Sequence, residues 1–327
     1  MPDFLLVLFG LAILIAAGES TLRGAVGLAR RLNMPPAAIG LSVVGVGTSL
    51  PELVVSVQAA FDGRPGFAVG NAIGSNIANS LLILGAAALV KPLLCEPRSV
   101  RRDGAAMVAA TVICIALGLS GEVATWQGAC MLILLVSFIS WSTLQDMKWA
   151  DLPAALHEKE AEARQAVPIS YPRTITLLLA GFAGLAIGAS TMVDGAASIG
   201  SRIGIPDSVL GLTLFAFGTS LPELVAALVA AWRGHTDVAV GNVIGSNIFN
   251  ILGILGAASL VTPIPFTESL QLVDIWVLLA ATCVLFPVLI TGWRISRTEG
   301  LALFLLYLGY IASVAWRASQ PGVGGTL

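Results

Sequence analysis

Two glutamates lie inside long apolar stretches of this chain, and both belong to the same repeated heptapeptide. GTSLPEL runs from Gly47 to Leu53 and again from Gly218 to Leu224, so Glu52 and Glu223 occupy equivalent positions. An acidic residue at the centre of a membrane helix costs about 2.5–3.5 kcal/mol on insertion scales. Neither stretch contains a Lys or Arg that could form a structural ion pair there. The pair therefore predicts a cation site near mid-membrane.

Hydroxyl side chains stand next to each glutamate in the sequence. Thr48 and Ser49 precede Glu52 by four and three positions, which places them on the same side of a helix. Pro51 offers no N–H to the carbonyl of Gly47, so we expect a kink that exposes backbone carbonyls, although a proline kink also occurs for purely structural reasons. The second copy repeats the arrangement with Thr219, Ser220, Pro222 and Glu223.

A polar stripe follows in both copies. GNAIGSNIAN spaces Asn71, Ser75 and Asn79 four residues apart. Amides and hydroxyls beside two carboxylates indicate a coordination shell, while interhelical hydrogen bonding alone is the alternative interpretation. All these candidate ligands are hard oxygens, which suit Ca²⁺ and Na⁺ rather than Zn²⁺ or Cu⁺. GNVIGSNIFN repeats the stripe with Asn242, Ser246 and Asn250.

Two carboxylates balance the charge of one divalent ion, and the neutral oxygens allow monovalent ions to occupy the same place. Calcium and sodium would then compete for one site, which amounts to exchange if that site opens alternately to each side. The chain has no Walker loop and no dinucleotide fingerprint, and its four cysteines lack metal-ligand spacing. We therefore expect a transporter driven by an ion gradient, without a cofactor, and not an enzyme.

Composition indicates that the chain is embedded in a lipid bilayer. Hydrophobic residues make up 57% of the chain, charged residues 11%, and the mean hydropathy is +0.91, values typical of a polytopic membrane protein. Because about 20 mostly apolar residues cross a bilayer, the sequence predicts an all-α protein with about ten transmembrane helices. The first is expected to be a retained helix rather than a signal peptide, because no basic segment precedes it. The predicted spans are 3–22, 37–61, 67–90, 104–120, 123–145, 174–193, 207–232, 238–261, 270–291 and 299–317.

An internal duplication organises these spans. Residues 40–92 and 211–263 align at an offset of 171 without a gap, and about 32 of the 53 positions are identical. The predicted organisation is a five-helix repeat over 1–145, a linker over 146–173 and a second five-helix repeat over 174–327. An odd number of helices inverts the second repeat relative to the first, a recurrent architecture of secondary transporters.

Basic residues predict the orientation of the chain. With the N-terminus outside, fourteen Lys and Arg fall on the inner side, and only Arg64, Arg202 and Arg317 fall on the outer side. This bias follows the positive-inside rule. It predicts a cytoplasmic linker and extracytoplasmic termini.

The paired GTSLPEL and GSNI(A/F)N motifs resemble those of the cation/calcium exchanger superfamily, in particular the sodium/calcium exchangers and their prokaryotic relatives. The resemblance covers nearly the whole chain and implies an antiporter that exchanges Na⁺ for Ca²⁺ by alternating access. It also implies that the helices at 3–22 and 174–193 slide across the core. We further expect a prokaryotic inner (plasma) membrane protein that functions as a monomer, with the bilayer and the two ions as partners and no nucleic acid.

The resemblance also assigns ion ligands. It implies that Glu52 and Glu223 are the central calcium ligands, assisted by the backbone carbonyls of Thr48 and Thr219. The remaining ligands of the central and sodium sites are implied to be the carbonyl near Ala216 and the side chains of Ser49, Ser75, Asn79, Ser220, Ser246 and Asn250.

Several alternatives remain at this stage. Some relatives, including potassium-dependent exchangers, carry aspartate at position 250, so the neutral Asn250 weakens the case for potassium co-transport. Proton-coupled calcium exchange is the main alternative, although those exchangers typically have a different acidic motif. A calcium-permeable channel would use the same oxygens, but inverted repeats with broken helices favour a transporter. A membrane scaffold would not need buried glutamates.

Overall fold

Helices make up nearly all of the chain that the computed structural model describes, namely residues 3–32, 34–150, 170–202, 218–266 and 273–318. This confirms the predicted helical class. In chain order the helices are α1 (Asp3–Arg31), α2 (Pro36–Thr48), α3 (Leu50–Phe61), α4 (Gly66–Val90), α5 (Pro97–Ser120), α6 (Thr125–Ala150), α7 (Tyr171–Arg202), α8 (Leu221–Arg233), α9 (Thr236–Val261), α10 (Ile275–Ile290) and α11 (Arg297–Ala318).

Short strands also occur in the described ranges, and the sequence analysis did not predict them. β1 (Leu93–Leu94) pairs antiparallel with β4 (Arg294–Ile295), and β2 (Glu122–Val123) pairs antiparallel with β3 (Ile264–Pro265). Each strand lies in a connection between two helices. The ladders therefore provide hydrogen-bond partners for backbone groups at the points where helices end.

The predicted membrane spans are confirmed in part. Six of the described helices are long and apolar enough to cross a membrane, and α2 with α3 forms a seventh candidate that is bent by 42°. α10 is apolar but has only 16 residues. The span predicted at 207–232 lies partly outside the described residues, which resume at 218 and include α8. The six long apolar helices are α1, α4, α5, α6, α7 and α9.

The first and sixth spans are longer than the sequence analysis predicted. α1 continues past residue 22 to Arg31, and α7 continues past residue 193 to Arg202. The 29 residues of α1 extend over about 44 Å at 1.5 Å per residue, which exceeds the roughly 30 Å hydrocarbon core of a bilayer. The basic ends of these helices therefore reach the interfacial region.

The chain divides into two compact units, and each unit combines segments from both sequence repeats. The first unit comprises 1–51 and 133–246, and the second comprises 52–132 and 247–327. The chain passes from the first unit to the second between Pro51 and Glu52. This division into compact units reflects packing. The predicted division into repeats reflects sequence duplication, so the two divisions have different boundaries.

In the first unit, α1 and α7 pack along each other through small residues. A Cβ on Gly10 would lie 2.6 Å from the backbone nitrogen of Met192, and one on Gly188 would lie 3.0 Å from the carbonyl oxygen of Gly10. Such close backbone approach is typical of helices packed in lipid. Large apolar side chains elsewhere on these two helices are exposed, as expected for surfaces that face lipid: Phe4, Phe9, Ile15, Leu179 and Ile187.

In the second unit, α11 packs against the end of α4 and is tied to the start of α10. A Cβ on Gly85 would lie 2.9 Å from the carbonyl oxygen of Gly300. The Asp274 carboxylate accepts hydrogen bonds from the Tyr310 hydroxyl at 3.3 Å and from Arg317 Nη2 at 2.9 Å. The polar groups at this helix end are therefore paired rather than left isolated in an apolar surrounding.

Candidate cation site

Both copies of GTSLPEL break their helix at the serine, as the prolines predict. Ser49 has φ −87° and ψ 5° between α2 and α3, and Ser220 has φ −87° and ψ 0° before α8. Proline at the second position of the following helix needs no hydrogen bond from its nitrogen, so it fits the first turn. The break confirms the predicted kink and starts a new helix just before each glutamate.

Each glutamate therefore lies in the first turn of a helix, Glu52 in α3 and Glu223 in α8. Both side chains are buried, at 1% exposure. The N-terminal end of a helix carries partial positive charge, which stabilises a carboxylate by about 0.3–1 kcal/mol and by more in partly buried geometries. The helix break thus offsets part of the cost of burying each charge.

In the first unit, side chains of one motif copy bond to those of the other. Ser49 Oγ donates to Glu223 Oε1 at 2.8 Å. Thr48 Oγ1 donates to Asn242 Oδ1 at 3.2 Å and to the Val44 carbonyl at 3.0 Å. The spacing in the sequence related Thr48 and Ser49 to the glutamate of their own copy. The structure instead directs the Ser49 hydroxyl to the second glutamate.

The polar stripe of α9 packs closely on α2 in the same unit. Ser246 Oγ donates to the Gly45 carbonyl at 3.2 Å. A Cβ on Gly45 would lie 2.9 Å from the Ser246 backbone nitrogen, and one on Gly245 would collide with the Leu41 carbonyl. Glycine at these positions allows the two backbones to meet, so hydroxyl and carbonyl oxygens come within reach of each other.

The second unit holds the surroundings of Glu52. Asn71 Nδ2 donates to Ser56 Oγ at 2.9 Å and to the Glu52 carbonyl at 3.4 Å. These bonds attach the start of the polar stripe on α4 to the helix that carries the glutamate. Asn71 belongs to the predicted stripe, whereas Ser56, which lies four residues after Glu52, was not predicted.

Sequence reasoning also missed two buried asparagines that belong to the GSN part of both motifs. Asn76 Nδ2 donates to the Asn247 carbonyl at 3.0 Å, and Asn247 Nδ2 donates to Ser80 Oγ at 3.0 Å and to Met107 Sδ at 3.4 Å. They lie one residue after the predicted stripe serines, so the interval of four excluded them. Their repetition at the 171-residue offset was the signal that identifies them.

Asn79 and Asn250 lie in the second unit with buried, unbonded amides. Each side chain is 1% exposed, and neither its nitrogen nor its oxygen forms a hydrogen bond within the described parts of the chain. Leaving such a group unpaired costs about 1–3 kcal/mol. A buried amide oxygen without a donor is a suitable ligand for a hard cation.

Both asparagines lie in segments of π-helix, Ala78–Ile83 within α4 and Phe249–Leu255 within α9. A third π-helical segment, Gly40–Val44, precedes the first GTSLPEL copy. A π-helical turn adds a residue to the helical repeat and shifts the direction of the side chains that follow, and such turns are frequent at functional sites. The uniform interval of four residues therefore does not describe the whole stripe.

The other predicted ligands are buried as well. Thr219 and Ser220 lie at the second helix break, and Ser75 lies on α4. Ala216 falls outside the described residues, so its predicted carbonyl ligand stays a prediction. Across the described ranges the structure contains no group of three or more His, Cys, Asp or Glu side chains that could hold a metal ion. A cation held here would need neutral oxygens in addition to carboxylates.

Comparison with known proteins decides the family. Residues 3–144 and 173–316 match the sodium/calcium exchanger protein family. The chain belongs to this family. Membership confirms the resemblance drawn from the motifs, and it makes the chain a membrane transporter rather than an enzyme.

Three relatives within the family match this chain over almost their full length. The putative antiporter CaxA of Alkalimonas amylolytica is 38% identical over 311 residues, covering 93% of this chain and 96% of CaxA. The sodium/calcium exchanger MaX1 of Methanosarcina acetivorans is 31% identical over 340 residues, covering 94% of this chain and 97% of MaX1. A solved structure of the sodium-calcium exchanger NCX_Mj has a TM-score of 0.83 at 32% identity, covering 96% of this chain and 99% of that protein.

Proposed function

We propose that the chain is an antiporter that exchanges Na⁺ for Ca²⁺ across the membrane by alternating access. Cation/calcium antiport follows from the exchanger family. The observation that carries the proposal is the hydrogen bond from Ser49 of the first GTSLPEL copy to Glu223 of the second. That bond joins the two copies of the only repeated acidic motif in the sequence.

Glu52 and Glu223 are the proposed calcium ligands. Ser49 bonds to Glu223 and precedes Glu52 by three residues in the chain, which supports one site that uses both carboxylates. The backbone carbonyls of Thr48 and Thr219 assist them in this proposal. The proposed sodium and central ligands are completed by the Ala216 carbonyl and by the side chains of Ser49, Ser75, Asn79, Ser220, Ser246 and Asn250.

The charges of this site determine the stoichiometry it favours. Two carboxylates balance one Ca²⁺ or two Na⁺, and the amides of Asn79 and Asn250 add oxygens without adding charge. Any third Na⁺ would leave the loaded site with a net positive charge. Sodium-coupled exchange with more than two Na⁺ per Ca²⁺ would therefore move charge across the membrane.

Reciprocal contacts in the second unit support the proposed pair of inverted five-helix repeats. The hydroxyls of Thr111 and Thr282, which are 171 residues apart, lie 3.4 Å from each other. The ladders β1 with β4 and β2 with β3 are also equivalents of each other at nearly the same offset. When residue i contacts the equivalent of j, and j contacts the equivalent of i, a two-fold axis relates the two copies.

The proposed location is a prokaryotic inner membrane, with the N-terminus outside and residues 146–173 in the cytoplasm. The distribution of Lys and Arg supports this orientation. We expect an impermeant thiol reagent to label a single cysteine in the linker only after intact cells are opened. Labelling of the linker from outside, with both termini protected, would show that the chain has the opposite orientation.

Transport by the purified protein in liposomes tests the exchange function. Vesicles loaded with Na⁺ and diluted into Na⁺-free buffer should accumulate tracer Ca²⁺, whereas vesicles loaded with K⁺ should not. Uptake that follows a pH gradient and ignores Na⁺ would replace the proposal with proton-coupled exchange. Ca²⁺ entry that needs no counter-ion gradient would indicate a channel, and no entry at all would indicate a scaffold.

A further inference from the structure

A cavity of about 220 Å³ lies between the C-terminal part of α1 and the connection from α8 to α9, within the first unit. Arg233 is ten residues after Glu223 on α8, which is about 15 Å along the helix at 1.5 Å per residue. The cavity is therefore distinct from the helix break that carries the glutamate. Its polar lining consists of Glu19, Arg23, Arg30, Arg233 and His235.

The cavity carries an excess of positive charge. Arg23 Nε donates to Glu19 Oε1 at 2.8 Å, and Arg233 Nε donates to Glu19 Oε2 at 2.7 Å. One carboxylate therefore balances one of these two guanidinium groups. Arg30 adds a further positive charge and forms no hydrogen bond or ion pair with any residue of the described ranges. The lining retains about two unbalanced positive charges.

Aromatic side chains indicate that this cavity lies at the membrane surface. The Arg233 guanidinium lies 4.8 Å from the ring centroid of Trp232, which is 65% exposed. Arg31, next to Arg30, lies 4.4 Å from the ring centroid of Tyr171. Exposed Trp and Tyr side chains mark the headgroup level of a bilayer, because their rings are apolar and their N–H and O–H groups are polar.

We propose that this cavity is a binding site for a phosphate group, and that its occupant is the headgroup of an anionic phospholipid. Arginine side chains present several N–H donors to phosphate oxygens, and basic pockets between membrane helices bind such headgroups. At about 220 Å³ the cavity is smaller than the roughly 300–1,000 Å³ pockets of typical small ligands, so it fits a headgroup rather than a whole lipid.

This site would also attach α1 to α8. Arg23 and Arg30 belong to α1, whereas Arg233 belongs to α8. A phosphate held by both helices would add charge-assisted hydrogen bonds to the bond that Glu19 already makes with Arg233. Ligand binding should therefore raise the unfolding temperature of the full chain, a readout that does not depend on transport.

Lipid binding to the delipidated, detergent-solubilised protein tests this proposal. We expect dioleoylphosphatidylglycerol to bind saturably in native mass spectrometry and to raise the unfolding temperature, and dioleoylphosphatidylcholine to do neither. Arg30→Gln should weaken phosphatidylglycerol binding by about fivefold, the effect of one arginine near a membrane surface. Because Arg30 has no bond within the described chain, this variant should fold normally.

Arg294→Gln is the matched control, since it removes the same charge from an exposed residue that does not line the cavity. It should bind phosphatidylglycerol as the parent protein does. If inorganic phosphate binds with the same dependence on Arg30 and phosphatidylglycerol does not bind, the phosphate site is supported and the lipid is overturned as its occupant. Equal phosphatidylglycerol binding by the parent protein, Arg30→Gln and Arg233→Lys would overturn the site.

Discussion

The two repeated copies carry equivalent asparagines, Asn71 and Asn242, whose amide nitrogens differ in their hydrogen bonds. In the first unit, Asn242 is buried and its oxygen accepts a hydrogen bond from Thr48. In the second unit, the equivalent Asn71 is half-buried and its nitrogen donates to Ser56. The position equivalent to Ser56 is Ala227, which offers no acceptor. The Asn242 nitrogen has no bond within the described residues, so this one hydroxyl distinguishes how the two amide nitrogens are held.

The duplication determines the helix break and the buried glutamate of each copy, and it leaves the partners of the asparagine nitrogens variable. Both copies break the helix at serine and bury a glutamate in the next turn. The nitrogens of Asn71 and Asn242 differ in their partners because Ala227 stands in the second copy where the first has Ser56. We therefore expect the glutamates to be equally necessary for transport, and the asparagines to contribute unequally.

Removal of either carboxylate should have the largest effect. Glu52→Gln or Glu223→Gln should lower Ca²⁺ affinity by more than a hundredfold, because a lost charge–ligand interaction of about 3 kcal/mol corresponds to that ratio. Tracer uptake into proteoliposomes measures the activity of each variant. The elution profile of the purified variant measures its folding. Asp62→Asn, an exposed acid outside the spans, is the control. Normal uptake by either glutamine variant would remove that residue from the site.

Asn247→Ala should have the next largest effect, and on stability rather than on ion binding. The change removes the hydrogen bond to Ser80 and leaves that buried hydroxyl without this donor, at a cost of about 1–3 kcal/mol. Thermal unfolding in detergent measures the loss.

Asn79→Ala removes an amide that has no bond within the described residues, so it should weaken Ca²⁺ binding with little loss of stability. A loss of stability in Asn79→Ala together with weaker Ca²⁺ binding in Asn247→Ala would assign the structural role to Asn79 and the ligand role to Asn247.

Ser56→Ala should have the smallest effect and addresses the difference between the copies directly. It makes the first copy like the second at this position and removes the acceptor of Asn71, which is worth about 0.5–1.5 kcal/mol. We expect a small drop in unfolding temperature and a measurable change in Ca²⁺ affinity. If Ca²⁺ affinity and stability both stay at parent values, the bond between Ser56 and Asn71 has no part in positioning the stripe.

Much of the fold follows from the sequence, because apolar length and the two prolines act locally. Pro51 and Pro222 predicted breaks that the structure contains. The π-helical segments could not be predicted, since residue types and apolar spacing in Ala78–Ile83 and Phe249–Leu255 do not distinguish a π-helical turn from an α-helical one. The bond from Ser49 to Glu223 was equally inaccessible, because it joins residues 174 positions apart.

Competition between sodium and calcium tests the central claim most directly. Calcium binding to the purified protein, measured by calorimetry at increasing Na⁺ concentration, should weaken steeply and cooperatively, because more than one Na⁺ must replace one Ca²⁺ at Glu52 and Glu223. Potassium at equal ionic strength should have little effect. If high Na⁺ leaves the calcium affinity unchanged while a modest fall in pH abolishes it, the sodium-coupled account is contradicted.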